Sequence, residues 1–596
     1  MALAIFCALL SLLTTFTCAS SDDRQARLQG APDKETRIAI IGAGLSGAST
    51  AYHLRENAPS DQPLSITIFN SSERIGERVA SFPVPDTQNR TILETGAASF
   101  STDDECITQS VEKLDLALVD TETCWSLLGC LHSPLRRTGI WNGKEIIGKP
   151  LLALRLSEWL DKHGLLWIVK PVVWSNNMSV WDTLRLLHWN DLKLDPGLQA
   201  SCDFTSPSIW RRIHMRYEYG SSPALFRRAV HTTTERFQHF GRTDRFSEVG
   251  EELRRVGLHG DIAKLSAADY LTGLGISKLF QIEVIEPCVR ARSSLDLTQV
   301  SAIDAMMACR ESKETSLVGG NIRLAGAMMN ASLADLQLRS EVVGIEHGRD
   351  RRYKLSIAGA SDLTLHEDRE YDVVVLAAPV HGSPLLDSLQ KLGSLSKNLL
   401  SPLSYTSTHV TYFATEHAFK SKYLNLAVDA DIPDRLLTTS AESNLMSLTK
   451  WDGMGFYWED RFWRKRPWLT PSKPEDYECA NGKFHYENLY RVMTRRHVSD
   501  RELAAMIGKT WEDGQNATDV GFSWVHRQEW NKSFPKFGDE RDISESIEVM
   551  EGLFWLGGAD EIMPSLEMSC KMGRNVASKI IHAQDRETSR RAHGEL

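Results

Sequence analysis

Three glycines near the start of the chain, in the pattern Gly42-x-Gly44-x-x-Gly47, have the spacing of a turn that holds phosphate groups. The apolar run at residues 38–41 predicts a buried strand before them, and residues 45–57 predict a helix after them. Gly42 then permits a tight turn, Gly44 lets the backbone approach a pyrophosphate, and Gly47 lets the helix lie close on the sheet. Free N–H groups at the helix N-terminus favour negative charge. We therefore predict a dinucleotide site formed by Gly42, Ala43, Gly44, Leu45, Ser46 and Gly47.

A second strand, predicted at residues 64–69, ends at Asn70. Dinucleotide folds place an acidic residue there to bond the ribose hydroxyls, and Asn70 keeps the hydrogen-bonding capacity without the charge. The loop that follows reads Arg74-x-Gly76-Glu77-Arg78, where many flavoproteins have Arg-x-Gly-Gly-Arg. We expect Asn70 to face the cofactor, which would leave its glycosylation sequon unused, and Arg78 to offset pyrophosphate charge.

Small residues follow the next short strand, at Glu94, Gly96, Ala97 and Ala98. Small side chains allow a flat ring to lie against the backbone, which is what an isoalloxazine needs. An enzyme that uses only a nicotinamide dinucleotide has no need of this segment or of the arginine loop. Together they predict FAD as the cofactor.

Three later stretches fit the same domain. Residues 338–346 predict a strand that passes the adenine, with Val343 as a contact, and residues 371–377 predict a late strand of the parallel sheet. Residues 553–559 predict a closing strand that runs into glycines, followed by Glu561, Ser565 and a helix through residue 577. This last unit can place N–H groups near the ribityl chain and the pyrimidine end of a flavin.

The predicted fold class is α/β: a Rossmann-type FAD-binding domain in a two-domain flavoprotein oxidase architecture, with a mixed α+β substrate domain. We assign residues 37–105, 317–380 and 550–582 to the FAD-binding domain, residues 106–316 and 381–549 to the substrate domain, and residues 583–596 to a C-terminal tail. The Leu- and Trp-rich stretch 151–189 predicts a buried helix pair, with an apolar tunnel or peripheral membrane contact as the alternatives.

The termini and the charge point to the secretory pathway. Residues 1–19 read as a cleaved signal peptide, and residues 20–36 as a flexible N-terminus. A net charge of −10 excludes the basic footprint of a nucleic-acid binder. The last four residues are close to an ER-retrieval signal, so ER retention stands beside a lysosomal, vacuolar or extracellular location. Sequons predict glycosylation at Asn89, Asn177, Asn330, Asn516 and Asn531.

Eight cysteines follow the predicted signal peptide. Their spacing fits no zinc site, so no metal is expected. An oxidising compartment permits disulfides, and we expect Cys124 to pair with Cys130, or Cys106 with either of them.

Taken together, these motifs resemble the prenylcysteine oxidases, also called prenylcysteine lyases. The resemblance runs from about residue 37 to residue 580, and is carried by residues 40–47, 94–100, 318–321, 409–412, 524–535 and 565–569. It departs from the family at Asn70, at Glu77, in the loosely matching residues 290–299 and in an extra loop at residues 451–468.

The resemblance implies a secreted or lysosomal enzyme that holds FAD and oxidises the thioether of farnesyl- or geranylgeranyl-cysteine. A hydride leaves the prenyl carbon next to sulfur for the flavin, water adds to the resulting cation, and the adduct breaks into a prenyl aldehyde and free cysteine. Molecular oxygen reoxidises the flavin and gives hydrogen peroxide. An aromatic, Leu-rich substrate domain suits the prenyl chain.

No single residue identifies itself as the catalytic base; His409, Glu561 and Glu567 are candidates by their chemistry alone. Two other functions remain open. One is an FAD oxidase of the same fold that acts on another apolar metabolite, such as a terpenoid or polyketide intermediate. The other is a non-catalytic secretory lipid-binding protein that has lost its flavin, for which Asn70 and Glu77 are the motive.

Overall fold

The chain is described by a computed structural model over residues 35–59, 62–85, 92–119, 138–147, 215–243, 245–310, 312–358, 364–393, 395, 397–401, 403–428, 430–439, 442–455, 478–479, 482–483, 486–538, 546–560 and 562–594. Several predictions lie outside the described residues: the signal peptide, residues 20–34 of the flexible N-terminus, the 151–189 stretch, the Cys124–Cys130 pair, Asn89, Asn177 and Glu561. Thr36, the last residue of the predicted N-terminus, begins the first strand.

Twenty-two strands run through the described residues. In chain order they are β1 (Thr36–Ile41), β2 (Leu64–Phe69), β3 (Ser81–Pro83), β4 (Ile92–Glu94), β5 (Phe100–Ser101), β6 (Thr138–Trp141), β7 (Ile146–Ile147), β8 (Glu314–Thr315), β9 (Asp335–Gln337), β10 (Glu341–His347), β11 (Tyr353–Ala358), β12 (Thr364–Tyr371), β13 (Val373–Leu376), β14 (Tyr405–Thr415), β15 (Arg435–Thr438), β16 (Leu445–Gly455), β17 (Glu478–Cys479), β18 (Gly482–Lys483), β19 (Tyr486–Thr494), β20 (Phe522–Pro535), β21 (Glu548–Met550) and β22 (Leu553–Trp555).

The α-helices of the described residues are α1 (Leu45–Asn57), α2 (Glu105–Lys113), α3 (Ser222–Gln238), α4 (Val249–Arg255), α5 (Asp261–Lys264), α6 (Ala267–Gly273), α7 (Lys278–Phe280), α8 (Glu286–Ser293), α9 (Ala302–Ala308), α10 (Ile322–Ser332), α11 (Pro384–Lys391), α12 (Lys397–Leu400), α13 (Asp500–Met506), α14 (Ala517–Val520) and α15 (Leu566–Gly594). A π-helical turn (Gln281–Ile285) joins α7 to α8, and a 3₁₀ turn (Ser421–Leu424) follows β14.

A six-stranded sheet in the order β21-β22-β13-β1-β2-β9 forms the first domain. All its neighbouring pairs are parallel except β21 with β22. Side chains of β1 alternate between two cores, because successive residues of a strand point to opposite faces. Ile38 and Ile40 pack with α1, α10 and α15, whereas Ala39 and Ile41 face the antiparallel sheet β10-β11-β12. The domain therefore has three layers, as the predicted Rossmann-type fold requires.

The strands of this sheet come from distant parts of the chain. β1 lies between β2 and β13, and Val374 of β13 pairs in turn with Leu553 of β22. The parallel pairing brings the carboxyl ends of β1, β2, β13 and β22 to one edge. Ligands of open α/β sheets bind at this edge.

The second domain is built on a seven-stranded sheet in the order β20-β14-β19-β16-β15-β6-β7, antiparallel except for β15 with β6. One face packs against α13 through a core that includes Phe413, Tyr490 and Val492. The opposite face carries Tyr412, Leu489 and Met493, which pack against Leu93 of β4 in the first domain. The helices α3 and α6 to α9 form a further core beside this sheet.

Several predicted boundaries differ from those observed. The predicted strand 371–377 is shorter, because Tyr371 ends β12 and only Val373–Leu376 joins the parallel sheet. The strand predicted at 338–346 begins at Glu341, and the closing strand ends at Trp555, where glycines begin. The last helix, predicted to run through residue 577, continues to Gly594 and so includes most of the predicted tail. None of the helices in the described part of the chain is long and apolar enough to cross a membrane.

The prediction that Cys106 pairs with Cys124 or Cys130 is wrong. Cys106 of α2 is bonded to Cys570 of α15, with a Cα–Cα distance of 5.9 Å and a sequence separation of 464. Sequence spacing could not indicate this pair, because only the tertiary packing of the two helices brings the cysteines together. Cys309 is a buried free thiol.

Candidate cofactor and substrate site

The glycine turn has the geometry that its spacing predicts. Gly42 has φ +116, in the region that favours glycine, and a Cβ on Gly47 would lie 2.1 Å from the Gly42 carbonyl oxygen. Gly44 is different, since among the described atoms only Cβ of Glu77 lies within 4.0 Å of an added Cβ. The fold itself therefore demands Gly42 and Gly47, whereas the space above Gly44 is open and fits a ligand group.

The first turn of α1 leaves its N–H groups available. Gly44 is the N-cap residue, and no side chain caps the helix. The N–H groups of Leu45 and Ser46 open this turn, as predicted for a phosphate site. Ala43 differs from the prediction, because its N–H donates to Oδ1 of Asn70 at 3.1 Å and so belongs to the turn's own structure.

Asn70 closes the carboxyl end of β2 and is buried. Its side-chain oxygen accepts from the Ala43 N–H, and its amide nitrogen donates to the Arg74 carbonyl at 2.9 Å and to Oε1 of Glu77 at 3.1 Å. A buried amide with these bonds leaves no room for a glycan. Asn330, Asn516 and Asn531 of the predicted glycosylation sites are exposed.

Arg78 connects the first loop of the domain to the last. Its guanidinium forms an ion pair with Asp560, between β22 and α15, and the nearby carboxylate raises the pKa of Arg78 further above its usual value. Gly96 must approach this loop closely, since an added Cβ would lie 2.1 Å from the Arg78 carbonyl oxygen. Arg78 therefore fixes the loops on either side of the site, and part of its charge is offset by Asp560 before any phosphate arrives.

Glu94 is the buried end of β4. Its carboxylate accepts hydrogen bonds from the Asn321 N–H at 2.6 Å and from the Ser81 hydroxyl at 2.8 Å. Burial outweighs these bonds and raises the pKa of Glu94 to about 7. The carboxyl group thus anchors the small-residue segment to the turn that opens α10.

The segment that contains Gly96, Ala97 and Ala98 is held from both domains. The Asn321 side-chain amide donates to the Ala97 carbonyl at 3.0 Å. From the second domain, the Tyr412 hydroxyl donates to the Glu94 carbonyl at 2.8 Å and the Trp530 indole to the Thr95 carbonyl at 2.9 Å. Residues 96–99 remain half-buried, so this fixed backbone keeps an open side on which a flat ring fits.

The closing unit has the predicted order of strand, loop and helix. Ser565 caps α15, because its hydroxyl accepts from the Met568 N–H at 3.0 Å. The helix therefore begins directly after the loop that follows β22. Glu567 is a structural residue and not a catalytic candidate. Its carboxylate is buried, caps α2 through the N–H groups of Cys106 and Ile107 at 3.0 Å each, and pairs with Lys571 at 3.1 Å.

His409 also loses its catalytic candidacy. It alternates with Tyr412 along β14 and so lies on the opposite face of the sheet from the small-residue segment. Its nearest carboxylate is that of Glu529 at 3.9 Å, and burial lowers the pKa of its imidazole.

Val343 is half-buried in β10, beside a register shift between Val342 and Gly344. The start of that strand is tied to the site, because the Ser340 N–H donates to the Asn70 carbonyl at 2.8 Å.

Arg491, which no sequence motif indicated, lies on the face of the second sheet that meets the small-residue segment. Arg491 of β19 pairs with Tyr412 of β14, and its guanidinium carbon lies 6.0 Å from the centre of the Tyr412 ring. Its Nε is buried and donates to no described atom. The same face carries the apolar residues Val410, Met446, Leu489 and Met493, and also Thr449 and Arg435, which lie in line with Arg491 across the sheet. One signal was present, since an arginine interrupts an otherwise apolar pattern in Leu489-Tyr-Arg-Val-Met493.

The described residues therefore fit a flavin dinucleotide: open space above Gly44, an uncapped helix, and a flat, half-buried segment at residues 96–99. Comparison with known proteins agrees. Residues 40–114 match the model of an NAD(P)-binding Rossmann-like domain, and residues 203–591 match that of prenylcysteine lyase. The site and the family matches together indicate FAD as the cofactor.

The relatives and solved structures are distant. The chain is 24% identical to prenylcysteine oxidase 1 of Homo sapiens over 61% of this chain and 59% of that protein. It is 24% identical to prenylcysteine oxidase 1 of Rattus norvegicus over 58% and 56%. The matches thus span less than two thirds of these relatives. A crystal structure from Exiguobacterium sp., named for protoporphyrinogen oxidase, has a TM-score of 0.52 at 14% identity, covers 92% of this chain and 99% of its own, and shares the fold. The match over more than half of its length shows that this chain belongs to the prenylcysteine lyase family.

Proposed function

We propose that this protein is an FAD-dependent thioether oxidase that cleaves farnesyl- or geranylgeranyl-cysteine. The overall reaction joins prenylcysteine, O₂ and water to give the prenyl aldehyde, cysteine and hydrogen peroxide. FAD, when bound, accepts the hydride from the prenyl carbon next to sulfur and passes the electrons to O₂. The chain's own residues bind the substrate, hold it against the flavin segment and limit access of water to the reacting carbon.

The observation that carries this proposal is Arg491, which lies beside an apolar cluster on the face that meets the small-residue segment. A prenylcysteine has two chemically distinct ends, a long hydrocarbon and an amino acid with a carboxylate. Leu489, Met493 and their neighbours suit the first. A guanidinium with a buried, unbonded N–H suits the second, because arginine and carboxylate form charge-assisted hydrogen bonds. Both face the segment on which the flavin ring fits. A wholly apolar metabolite cannot bond the buried Nε–H of Arg491, so this feature favours prenylcysteine over a terpenoid substrate.

Products measured in air test the reaction. The holoenzyme and S-farnesylcysteine should give aldehyde, free thiol and peroxide in equal amounts. Peroxide without thiol would mean that another bond is oxidised and would reject thioether cleavage. No turnover of farnesylcysteine, with turnover of another apolar metabolite, would support an oxidase of the same fold with a different substrate.

We further propose that the protein works in the secretory pathway, in a lysosomal, vacuolar or extracellular setting. The Cys106–Cys570 disulfide supports this, because disulfides persist in oxidising compartments. The exposed Asn330, Asn516 and Asn531 suit glycan attachment. An unchanged electrophoretic mobility after endoglycosidase treatment of protein from its native host would count against this route.

A further inference from the structure

The carboxyl end of β2 lacks the acidic side chain that dinucleotide folds use to bind the adenosine ribose. Asn70 stands there, and it carries no charge. Its side-chain oxygen already accepts a hydrogen bond from the Ala43 N–H at 3.1 Å. Asn70 therefore cannot accept hydrogen bonds from the two ribose hydroxyls as a free carboxylate would.

A carboxylate from a different position lies at the same place. Oε1 of Glu77 accepts from the Asn70 amide at 3.1 Å. Cβ of Glu77 is 4.0 Å from the position that a Cβ on Gly44 would occupy, and Gly76 is bridged to Gly44. Glu77 is half-buried, and its second carboxylate oxygen makes no hydrogen bond to a described residue. One oxygen is thus held by Asn70, and the other remains available beside the phosphate-binding turn.

The backbone at Glu77 points to a selected side chain. Its φ is +48, in the left-handed region that favours glycine, and flavoproteins often have glycine at this place in the loop. A glutamate here has a conformational cost that its side chain must offset by an interaction. The hydrogen bond to Asn70 is one such interaction, and a bound ribose would add a second.

We propose that Glu77 supplies the ribose-binding carboxylate of the FAD site, in place of the acidic residue missing at position 70. Asn70 becomes a positioning residue that holds the Glu77 carboxylate and the Ala43 N–H. The two departures from the usual pattern are then one exchange: the charge has moved seven residues along the loop, from position 70 to position 77. This assignment concerns the cofactor and is independent of the substrate.

The test is FAD affinity of the apoprotein, measured by quenching of flavin fluorescence, for the wild type, Asn70→Glu, Glu77→Gly and the double variant. Glu77→Gly should weaken FAD binding about ten- to a hundredfold, as loss of a charge-assisted hydrogen bond does. Asn70→Glu should also weaken it, because two carboxylates then meet in one site. The FAD affinity of the double variant should recover to within about threefold of the wild-type affinity, because the effects of substitutions at residues in contact do not simply add.

A nucleotide pair separates ribose binding from a purely structural role. The wild-type apoprotein should bind ADP more tightly than 2′,3′-dideoxy-ADP, and Glu77→Gln, which keeps the shape of the side chain, should lose most of this preference. Equal loss of affinity for both nucleotides in Glu77→Gln would overturn the proposal. The proposal would also be overturned if the losses of FAD affinity in the two single variants simply multiplied in the double variant. Melting temperatures of the apoproteins verify that each variant is folded.

Discussion

Gly44 and Gly47 stand three residues apart in one motif, yet the structure gives them different reasons to be glycine. Gly47 is enclosed by backbone, whereas Gly44 has an ordinary φ of −76 and open space in front of it. The motif alone cannot separate the two roles, because spacing reports the turn and not what surrounds each Cα. The first prediction follows from this difference.

Gly44→Ala should leave the melting temperature of the apoprotein within about 2 °C of the wild-type value, because the added methyl group makes only ordinary contacts. It should weaken FAD binding about five- to a hundredfold, the range expected when a methyl group overpacks a ligand contact. Gly47→Ala is the matched control and should destabilise the apoprotein itself. An apo Gly44→Ala protein as unstable as Gly47→Ala would show that the space above Gly44 is not a ligand site.

Glu94 predicts a specific dependence of stability on pH. Its pKa in the fold is about 7, above the ordinary value of 4.5, so the folded protein keeps a proton that the unfolded chain releases. The associated stabilisation is complete below the unfolded pKa and is lost as the pH rises through 7, a change of roughly 3 kcal/mol.

Glu94→Gln mimics the protonated form, with the Ser81 hydroxyl able to accept from the new amide. Between about pH 5 and pH 8, the melting temperature of the wild type should fall relative to that of Glu94→Gln. Parallel curves for the two proteins would mean that Glu94 does not titrate in this range.

Arg491 can be tested by removing charge from the enzyme and from the substrate separately. Arg491→Met should weaken binding of S-farnesylcysteine about ten- to a hundredfold, as judged from perturbation of the flavin spectrum. It should leave binding of S-farnesylcysteamine, which has no carboxylate, nearly unchanged. Arg491→Lys should recover part of the loss, because an ammonium keeps the charge but not the paired N–H groups. Equal loss for both ligands would place the carboxylate elsewhere.

At the scale of elements, the hydrophobic patterns of the sequence predicted the strands and helices that depend on local residues alone. The apolar runs of β1 and β2 and the helix pattern of α1 agree with the observed bounds to within two residues. The pairing of α2 with α15 through Cys106 and Cys570 has no local signal, since it depends on the two helices packing beside the same sheet. The exclusion of His409 has a similar origin: its type suggested chemistry, but the register of β14 turns it away from the flavin segment.

The disulfide should contribute to stability by closing a long loop. A Cys106→Ser/Cys570→Ser variant should lose roughly 3–5 kcal/mol of unfolding free energy, measured by urea denaturation under oxidising conditions. Cys309→Ala, which removes a buried thiol that forms no disulfide, is the control. A reductant should abolish most of the difference between the wild type and the double variant. Identical denaturation midpoints without reductant would contradict the bond.

At the scale of the whole molecule, the site is assembled where two sheets meet. The first domain provides the glycine turn, the arginine loop and the small-residue segment. The second provides Tyr412 and Trp530, which hold that segment in place, and Arg491, which faces it. The sequence predicted the first set because its motifs are compact. It could not predict the second, because Tyr412 and Arg491 are 79 positions apart and become neighbours only through the pairing of β14 with β19.

The central claim is that this assembly oxidises an allylic thioether, and anaerobic reduction of the bound flavin tests it most directly. Stoichiometric S-farnesylcysteine should bleach the flavin band near roughly 450 nm, because the double bond and sulfur stabilise the carbon that loses hydride. S-Dodecylcysteine, a thioether of similar length without the allylic double bond, should bleach it far more slowly. A flavin spectrum that remains oxidised in excess S-farnesylcysteine would contradict the account.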